Sequence, residues 1–148
     1  MELERIEQEL DRFSDKNLPV PTPKERRIER AQALLDLADA TLEQWVISRG
    51  DTPTTETREG FRLLSLHRQG AKGEPSFNAC RETCREVAHH YNLLTRPNAL
   101  FPDDDPLAKL QMMTLLVRHL QLFVSGKLQQ AGLGDFCCAS KPIRSNEI

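Results

Sequence analysis

The sequence is poor in aromatic residues and carries no excess of either charge. Aromatic residues make up 5% of the 148-residue chain, with one Trp, one Tyr and six Phe. Such a chain lacks the ring platforms on which single-stranded nucleic acids stack. Lys and Arg number 20 against 22 Asp and Glu, and the formal net charge of −2 excludes a basic nucleic-acid coat. We therefore do not expect nucleic acid as a partner.

Long apolar runs are also missing. The N-terminus, Met1–Arg5, is charged and lacks the apolar segment of a secretory signal. The most apolar stretch, 112–124, is interrupted by Arg118, His119 and Gln121. It is also shorter than the ~20 residues that a helix needs to span a bilayer. These absences predict a cytoplasmic protein without a membrane partner, whose four cysteines are reduced.

Strand signals are absent as well, and helical spacing replaces them. Nowhere do β-branched or aromatic residues alternate with polar ones between turn dipeptides, whereas apolar residues recur at steps of three and four. The spacing predicts an all-α fold with helices at about 2–16, 23–49, 53–69, 77–95 and 106–130. The last four should form an antiparallel four-helix bundle and the first an extra N-terminal helix. We expect one domain over 1–133, followed by a flexible C-terminal tail over 134–148.

Capping residues mark most of these helix starts. Three of the predicted helices open with a residue that can cap, followed by proline, at Thr22-Pro23, Thr52-Pro53 and Asp105-Pro106. Ser76 is the expected cap of the fourth predicted helix. The first predicted helix is acidic and the second begins with several basic residues, so we expect the first helix, of this chain or of a partner chain, to lie near that basic start.

Charged residues are sorted by helix face. The second predicted helix carries a run of acidic residues on its polar side: Glu29, Asp36, Asp39 and Glu43. Basic residues occupy one side of the third and fourth predicted helices: Arg58, Arg62, Arg81, Arg85 and His89. Like charges one helical turn apart repel each other by a few tenths of a kcal/mol. Three interpretations remain open for the basic set: a solvated face, ion pairs of Arg58 and Arg62 with Glu82 and Glu86, or a binding surface for an anion or acidic partner.

The fifth predicted helix is apolar on more than one side. Besides its main apolar face it carries a second stripe, formed by Leu115 and Leu122, with His119 beside it. In a plain four-helix bundle this stripe would face water, so its presence indicates a cover. The cover would be the first helix or the same helix of a second subunit. We expect Leu115, Leu122 and His119 to be oligomer contacts, and the sequence favours a homodimer over a monomer.

The cysteines allow a metal or redox interpretation, but a structural one competes with it. Cys80 and Cys84 lie on the apolar stripe of the fourth predicted helix, and His89 lies on its polar side. One helix cannot aim all three side chains at one ion, so we expect core cysteines and no metal. The sequence Glu86-Val87-Ala88-His89 matches half of a di-iron motif, but no second copy exists. Cys137 and Cys138 fall in the tail, without an assigned role.

No motif with a known catalytic mechanism occurs. The chain has no glycine-rich phosphate loop, no Gly-x-Ser-x-Gly and no His-Glu-x-x-His. We assign no catalytic residue and no cofactor. The sequence favours a non-enzymatic interaction or regulatory module that self-associates or binds a protein partner. Two alternatives remain: an anion-binding or small-ligand-binding protein that uses the basic set, and a metal or thiol redox protein that uses Cys80 and Cys84.

Overall fold

The fold is all-α, as the sequence predicts. The computed structural model describes residues 1–15, 24–96 and 106–133. Within these ranges there is no strand, and the α-helices are α1 (Leu3–Phe13), α2 (Lys24–Ser48), α3 (Arg62–Ala71), α4 (Arg81–Thr95) and α5 (Pro106–Leu133). In the same ranges, no helix is long and apolar enough to cross a membrane. The antiparallel order of four helices and the single domain over 1–133 stay predictions. The tail over 134–148 and the predicted caps Thr22 and Asp105 lie outside the described residues.

Helix α1 packs against α2 and α5 of the same chain. Its residues Ile6 and Leu10, one turn apart, are fully buried. The guanidinium carbon of Arg30 lies 5.8 Å from the centre of the Phe13 ring, which places the end of α1 against the basic first part of α2. The expected proximity of these two helices is therefore confirmed.

The prediction that the third helix begins at Thr52-Pro53 is wrong, because a tight turn precedes it. Glu59 and Gly60 have positive φ angles of 53° and 86°. The flanking residues close a small antiparallel bridge, in which the Arg58 amide donates to the Phe61 carbonyl (2.9 Å) and the Phe61 amide donates to the Arg58 carbonyl (2.8 Å). Two consecutive left-handed residues are typical of a type I′ turn and cannot belong to an α-helix. Helix α3 therefore begins only at Arg62.

The segment before this turn is held by side chains of α3. The Gln69 side chain donates to the Thr52 carbonyl (2.8 Å) and accepts from the Thr54 amide (2.9 Å). Arg62 donates through Nε to the Thr54 carbonyl (2.7 Å). Thr52 therefore caps no helix. Its carbonyl accepts a hydrogen bond from Gln69, which lies more than one turn into α3.

The start of the fourth helix also differs from the prediction. A 3₁₀ helix, Pro75–Cys80, precedes α4, so the predicted start at residue 77 falls inside it. Ser76 does not cap α4, because its hydroxyl donates to the Glu74 carboxylate (2.7 Å) and accepts from Lys127 Nζ (2.6 Å). Lys127 also pairs with Glu74 at 3.0 Å, which ties this connection to α5.

An aromatic cluster centred on Phe77 joins four elements of the fold. The Phe77 ring is fully buried and stacks on Trp45 of α2, with ring centroids 5.1 Å apart. It also stacks on His67 of α3 at 5.6 Å and meets the edge of Phe123 of α5 at 5.4 Å. Aromatic pairs in these geometries add ~0.5–1.5 kcal/mol each to the area they bury. Phe77 thus fixes the 3₁₀ helix against α2, α3 and α5.

A glycine permits the close approach of α2 and α3 at this cluster. Trp45 Nε1 donates to the Gly70 carbonyl at 2.9 Å. A Cβ atom at position 70 would lie 2.8 Å from Trp45 Cδ1 and 3.3 Å from Phe77 Cε2. Both neighbours belong to the buried cluster and have little room to move.

We predict that Gly70→Ala destabilises the protein by up to about 2 kcal/mol. In an uncrowded helix, replacing glycine by alanine stabilises the fold by about 1 kcal/mol. At this position the new methyl group would overpack the buried cluster at a cost of ~1–3 kcal/mol, which offsets or exceeds that stabilisation. Urea denaturation measures the free energy of unfolding. The cost should shrink in a Trp45→Leu background, since the clashing ring is gone. An equal cost in both backgrounds would show that Trp45 does not set the packing limit.

Candidate anion-binding cleft

A cleft of about 650 Å³ lies between α3 and the beginning of α4. One face of α3 forms its first wall, with side chains at steps of three, one, three and one: Leu64, His67, Arg68, Ala71 and Lys72. Asn78, Arg81 and Arg85 form the opposite wall, and Arg58 reaches it from the turn before α3. The volume falls within the ~300–1,000 Å³ that is typical of small-molecule sites.

The cleft is strongly basic. Five cationic side chains line it, and none of its lining residues in the described part of the chain is acidic: Arg58, Arg68, Lys72, Arg81 and Arg85. Arg85 makes an exposed ion pair with Glu59 at 3.3 Å. Within the described residues, the other four cations have no ion-pair partner. Among the described residues, Glu59 at the edge of the cleft is the one acid that pairs with a cation of its lining.

The structure brings together three of the five basic residues that the sequence singled out. Arg58, Arg81 and Arg85 line the cleft. Arg62 lies outside it, since its guanidinium pairs with Glu43 of α2 rather than with Glu82 or Glu86. His89 is exposed and lines a neighbouring hollow of about 210 Å³, which Glu59 and Arg85 share.

Sequence reasoning missed Arg68, Lys72 and His67 as members of the cleft. It extended the third helix back to residue 53, so that Arg58 and Arg62 seemed to form its basic face. The spacing of residues 64, 67, 68, 71 and 72 was the available signal, because these positions share one helical face whichever residue begins the helix.

A cluster of ionisable groups lies directly behind the cleft wall. Cys80 and Cys84 are both fully buried, and Cys80 occupies the cap position before α4. The Phe77 carbonyl accepts from His67 Nε2 at 2.9 Å and from the Cys80 thiol at 3.2 Å. Because both donate to this one carbonyl, the His67 ring and the Cys80 thiol lie close together, and Cys84 follows Cys80 one turn later in α4. The histidine next to the cysteines is therefore His67 of α3, whereas the sequence pointed to His89.

These contacts shift the pKa values of the two thiols in opposite directions. The hydrogen bond with Cys84 lowers the pKa of Cys80, burial opposes it, and His67 adds to the decrease, so that the pKa is about 6. The same bond and burial raise the pKa of Cys84 well above its usual value. Burial lowers the pKa of His67, but its bonds to Cys80 and Phe77 outweigh burial and leave the pKa above its usual value. The Cys80 thiol is a hydrogen-bond donor to the Phe77 carbonyl, and its lowered pKa means that it holds this proton less firmly than a free cysteine does.

The acidic side of α2 meets this cluster at Asp39. Burial raises the pKa of Asp39 to about 7, Arg62 opposes the rise, and Asp36 and Glu43 add to it. One carboxylate oxygen of Asp39 is buried without a hydrogen-bond partner in the described part of the chain. The charge of Asp39 also raises the pKa of Cys84.

We predict that Asp39 makes the protein less stable as the pH rises. The folded carboxyl titrates at about 7 and the unfolded one at 3.8, so the folded state binds more protons between these values. The contribution of this carboxyl to the free energy of unfolding must therefore fall as the pH rises through that range. Asp39→Asn should remove the fall and stabilise the protein by about 2 kcal/mol at about pH 8, allowing for the water contact of a half-buried carboxyl.

Urea denaturation at about pH 5 and about pH 8 checks this prediction. The matched control is Glu29→Gln, an exposed acid on the same side of α2, which should leave the difference between the two pH values unchanged. If the free energy of unfolding of Asp39→Asn still differs between the two pH values as much as that of the parent protein, another group causes the pH dependence.

The second stripe of α5 remains largely exposed. Leu115 is 63% exposed and Leu122 is 48% exposed, and His119 between them is also exposed. Although α1 packs on α5, it does not cover this stripe. Within the described residues, no group of three or more His, Cys, Asp or Glu is arranged to hold a metal ion.

Comparisons with known protein families, with curated proteins and with solved structures found no match to this chain.

Proposed function

We propose that this protein binds a small anionic ligand in the cleft between α3 and α4. The observation that carries the proposal is the convergence of Arg58, Arg68, Lys72 and Arg81 on one cleft, without ion-pair partners among the described residues. Of the alternatives that the sequence leaves open, this one has a concave surface of suitable size and charge to support it.

Electrostatics favours an anion at this position. Cations that crowd one cleft repel each other and raise the local positive potential, and a bound anion relieves both effects. Elsewhere in the described chain several cations form ion pairs, as Arg62 does with Glu43 and Lys127 with Glu74. The four unpaired cations of the cleft share one concave surface, so their combined charge is available for a ligand.

The lining residues favour a phosphate-bearing ligand. Arginine presents its N–H groups as a planar fork that matches two oxygens of a phosphate or carboxylate, and lysine adds a mobile point charge. Leu64 and Ala71 give the same cleft an apolar portion, on which an uncharged part of the ligand can pack. A phosphorylated organic molecule fits both features.

We predict that pyrophosphate raises the melting temperature at low ionic strength and that Arg68→Gln and Arg81→Gln each weaken its binding about 10-fold. Loss of one charge-assisted hydrogen bond costs about 1.4 kcal/mol, which corresponds to that factor. Thermal shift and isothermal titration measure the two effects. Both side chains are exposed, so their removal should leave the fold intact.

The matched control is Arg26→Gln, which removes an exposed arginine of α2 outside the cleft and should leave the affinity unchanged. A flat response to inorganic phosphate and to pyrophosphate at low salt would refute the proposal. An equal loss in Arg26→Gln would reduce it to nonspecific attraction by surface charge.

A second candidate function is self-association through α5, and the exposed stripe supports it. Leu115 and Leu122 lie seven residues apart on one side of the helix, and Met112 on the same helix is 45% exposed. Soluble monomers rarely expose contiguous apolar patches of large area. A second copy of the chain would bury this stripe in a twofold contact, with His119 inside it.

We predict that the protein is a dimer at micromolar concentration and that Leu115→Glu converts it to a monomer, because a carboxylate cannot be buried there without a partner. Sedimentation velocity measures the change. Ile47→Glu is the matched control: Ile47 is 53% exposed on α2, away from the stripe, and its substitution should leave the dimer intact. A monomeric parent protein at high concentration would exclude this function.

A further inference from the structure

The neighbouring hollow of about 210 Å³ continues the cleft along α3 and α4. The two cavities share Leu64 of α3 and Arg85 of α4 among their lining residues. From these residues the hollow extends to Phe61 and Asn92, whereas the cleft extends in the other direction to Lys72. At ~1.5 Å per residue, the distance from Phe61 to Lys72 along α3 is about 16 Å. The two cavities together therefore form a groove that is long enough for a ligand with two different ends.

The two ends of this groove differ in charge. Five cations line the cleft, whereas the hollow contains Glu59, the one acidic side chain in the described lining of either cavity. Apolar side chains accompany it there: Phe61, Leu64 and Ala88. The Glu59 side chain is 58% exposed, so a ligand in the hollow can reach its carboxylate.

The backbone holds Glu59 in a conformation that glutamate rarely adopts. Its φ angle is 53°, in a turn where Asn, Asp and Gly are the favoured residues. The paired hydrogen bonds between Arg58 and Phe61 close this turn and fix its position at the edge of the cleft. Non-glycine residues in this region of φ are frequent at ligand sites, so the conformation directs attention to the side chain that it presents.

We propose that the ligand of the cleft also carries an amino group, which Glu59 binds in the hollow while the cations of the cleft bind the phosphate. The inference rests on the proposed anion-binding function and specifies its ligand class as phosphorylated amines. Two kinds of molecule have this chemistry, the aminoalkyl phosphates and the nucleotides whose base carries an amino group.

An exchange of partners at Arg85 explains why an amino group is needed. In the structure Arg85 pairs with Glu59 at 3.3 Å, and the two side chains are 44% and 58% exposed, so the pair is weak. A phosphate offers the Arg85 guanidinium two oxygens at once and competes for it. Glu59 then loses its cation and repels the bound anion, unless the ligand supplies N–H donors of its own. The amino group takes the place of Arg85 beside this carboxylate.

The spacing of these residues sets the length of the ligand. Arg81 and Arg85 lie one turn apart on α4, a rise of about 6 Å, and both line the cleft. Glu59 lies beyond Arg85, 3.3 Å from its guanidinium. A phosphate between the two arginines is therefore roughly one helical turn from the carboxylate, which a chain of three carbons can span. A larger ligand reaches Glu59 when its phosphate lies deeper in the cleft, toward Lys72.

Isothermal titration of the full chain with two matched pairs of phosphates tests the proposal, at low ionic strength and about pH 8, where phosphate monoesters are doubly charged. The small pair is aminopropyl phosphate and propyl phosphate. The large pair is adenosine diphosphate and inosine diphosphate, in which a carbonyl replaces the amino group of the base. We expect the amino compound to bind about 5-fold more tightly in at least one pair, the effect of one exposed ion pair. The pair that shows the preference identifies the kind of ligand.

The small pair gives opposite results for the two explanations. An ammonium group lowers the net negative charge of the ligand, so a cleft that acted through positive charge alone would bind aminopropyl phosphate more weakly than propyl phosphate. Tighter binding of the amino compound requires an acceptor at a defined position.

Glu59→Gln separates the role of this carboxylate from that of the cleft. The side chain is exposed, so the variant should fold, which circular dichroism checks. It should lose the preference for the amino compound and bind propyl phosphate more tightly than the parent protein, because Arg85 is released and a repulsive charge is removed. Glu82→Gln is the matched control: Glu82 is an exposed acid of α4 that lines neither cavity, and its substitution should keep the preference.

Equal or weaker binding of the amino compound in both pairs would overturn the inference, as would a preference that survives in Glu59→Gln or disappears equally in Glu82→Gln. The proposed anion-binding function stands or falls separately. If pyrophosphate binds in an Arg81-dependent manner and no amino preference exists, only the present inference fails. If neither pyrophosphate nor any of the four organic phosphates binds, both fail.

Discussion

The position of Phe77 determines how α2, α3 and α5 pack together behind the candidate cleft. Its ring is stacked between Trp45 and His67 and meets the edge of Phe123, so three helices share one buried contact. Its carbonyl accepts hydrogen bonds from His67 and Cys80. The ring therefore fixes the core, and the carbonyl fixes the ionisable groups behind the cleft. Loss of a buried Phe side chain typically costs ~3–5 kcal/mol, a large fraction of the stability of a small domain.

The separation of charge between α2 and the cleft follows from this packing and from the turn before α3. The turn at Glu59 and Gly60 ends the extended segment and starts α3 at Arg62, which aims that guanidinium at Glu43 of α2. The face of α3 that carries Arg68 and Lys72 is then turned toward Arg81 of α4. Arg62 pairs with Glu43 on the acidic side of α2, whereas the cleft brings together Arg58, Arg68, Lys72 and Arg81, which have no ion-pair partner among the described residues. This arrangement supports the proposal of an anion in the cleft.

Helical spacing was sufficient to predict the all-α fold and four of the five helix locations, and the opposite charges of the first two helices predicted that they lie together. It failed at residues 53–61, because a threonine followed by proline is an equally good helix start whether or not a type I′ turn follows. The Glu59-Gly60 pair carried the only local sign of that turn. Ser76 was mistaken for a cap because its partners, Glu74 and Lys127, are brought together only by the fold. Arg58, Arg81 and Arg85 could be found from one-sided charge, whereas the association of His67 with Cys80 depends on the crossing of α3 and α4.

The central claim is that the packing around Phe77 places a preformed, unbalanced basic cleft between α3 and α4. A crystal structure of the protein with pyrophosphate, grown at low ionic strength and without sulfate, tests it most directly. The account predicts the anion between the two helices, with oxygens at hydrogen-bond distance from Arg68 and Arg81 and with the Phe77 cluster unchanged. Pyrophosphate bound at another surface, or Arg68 and Arg81 paired with acidic side chains in place of the ligand, would contradict it.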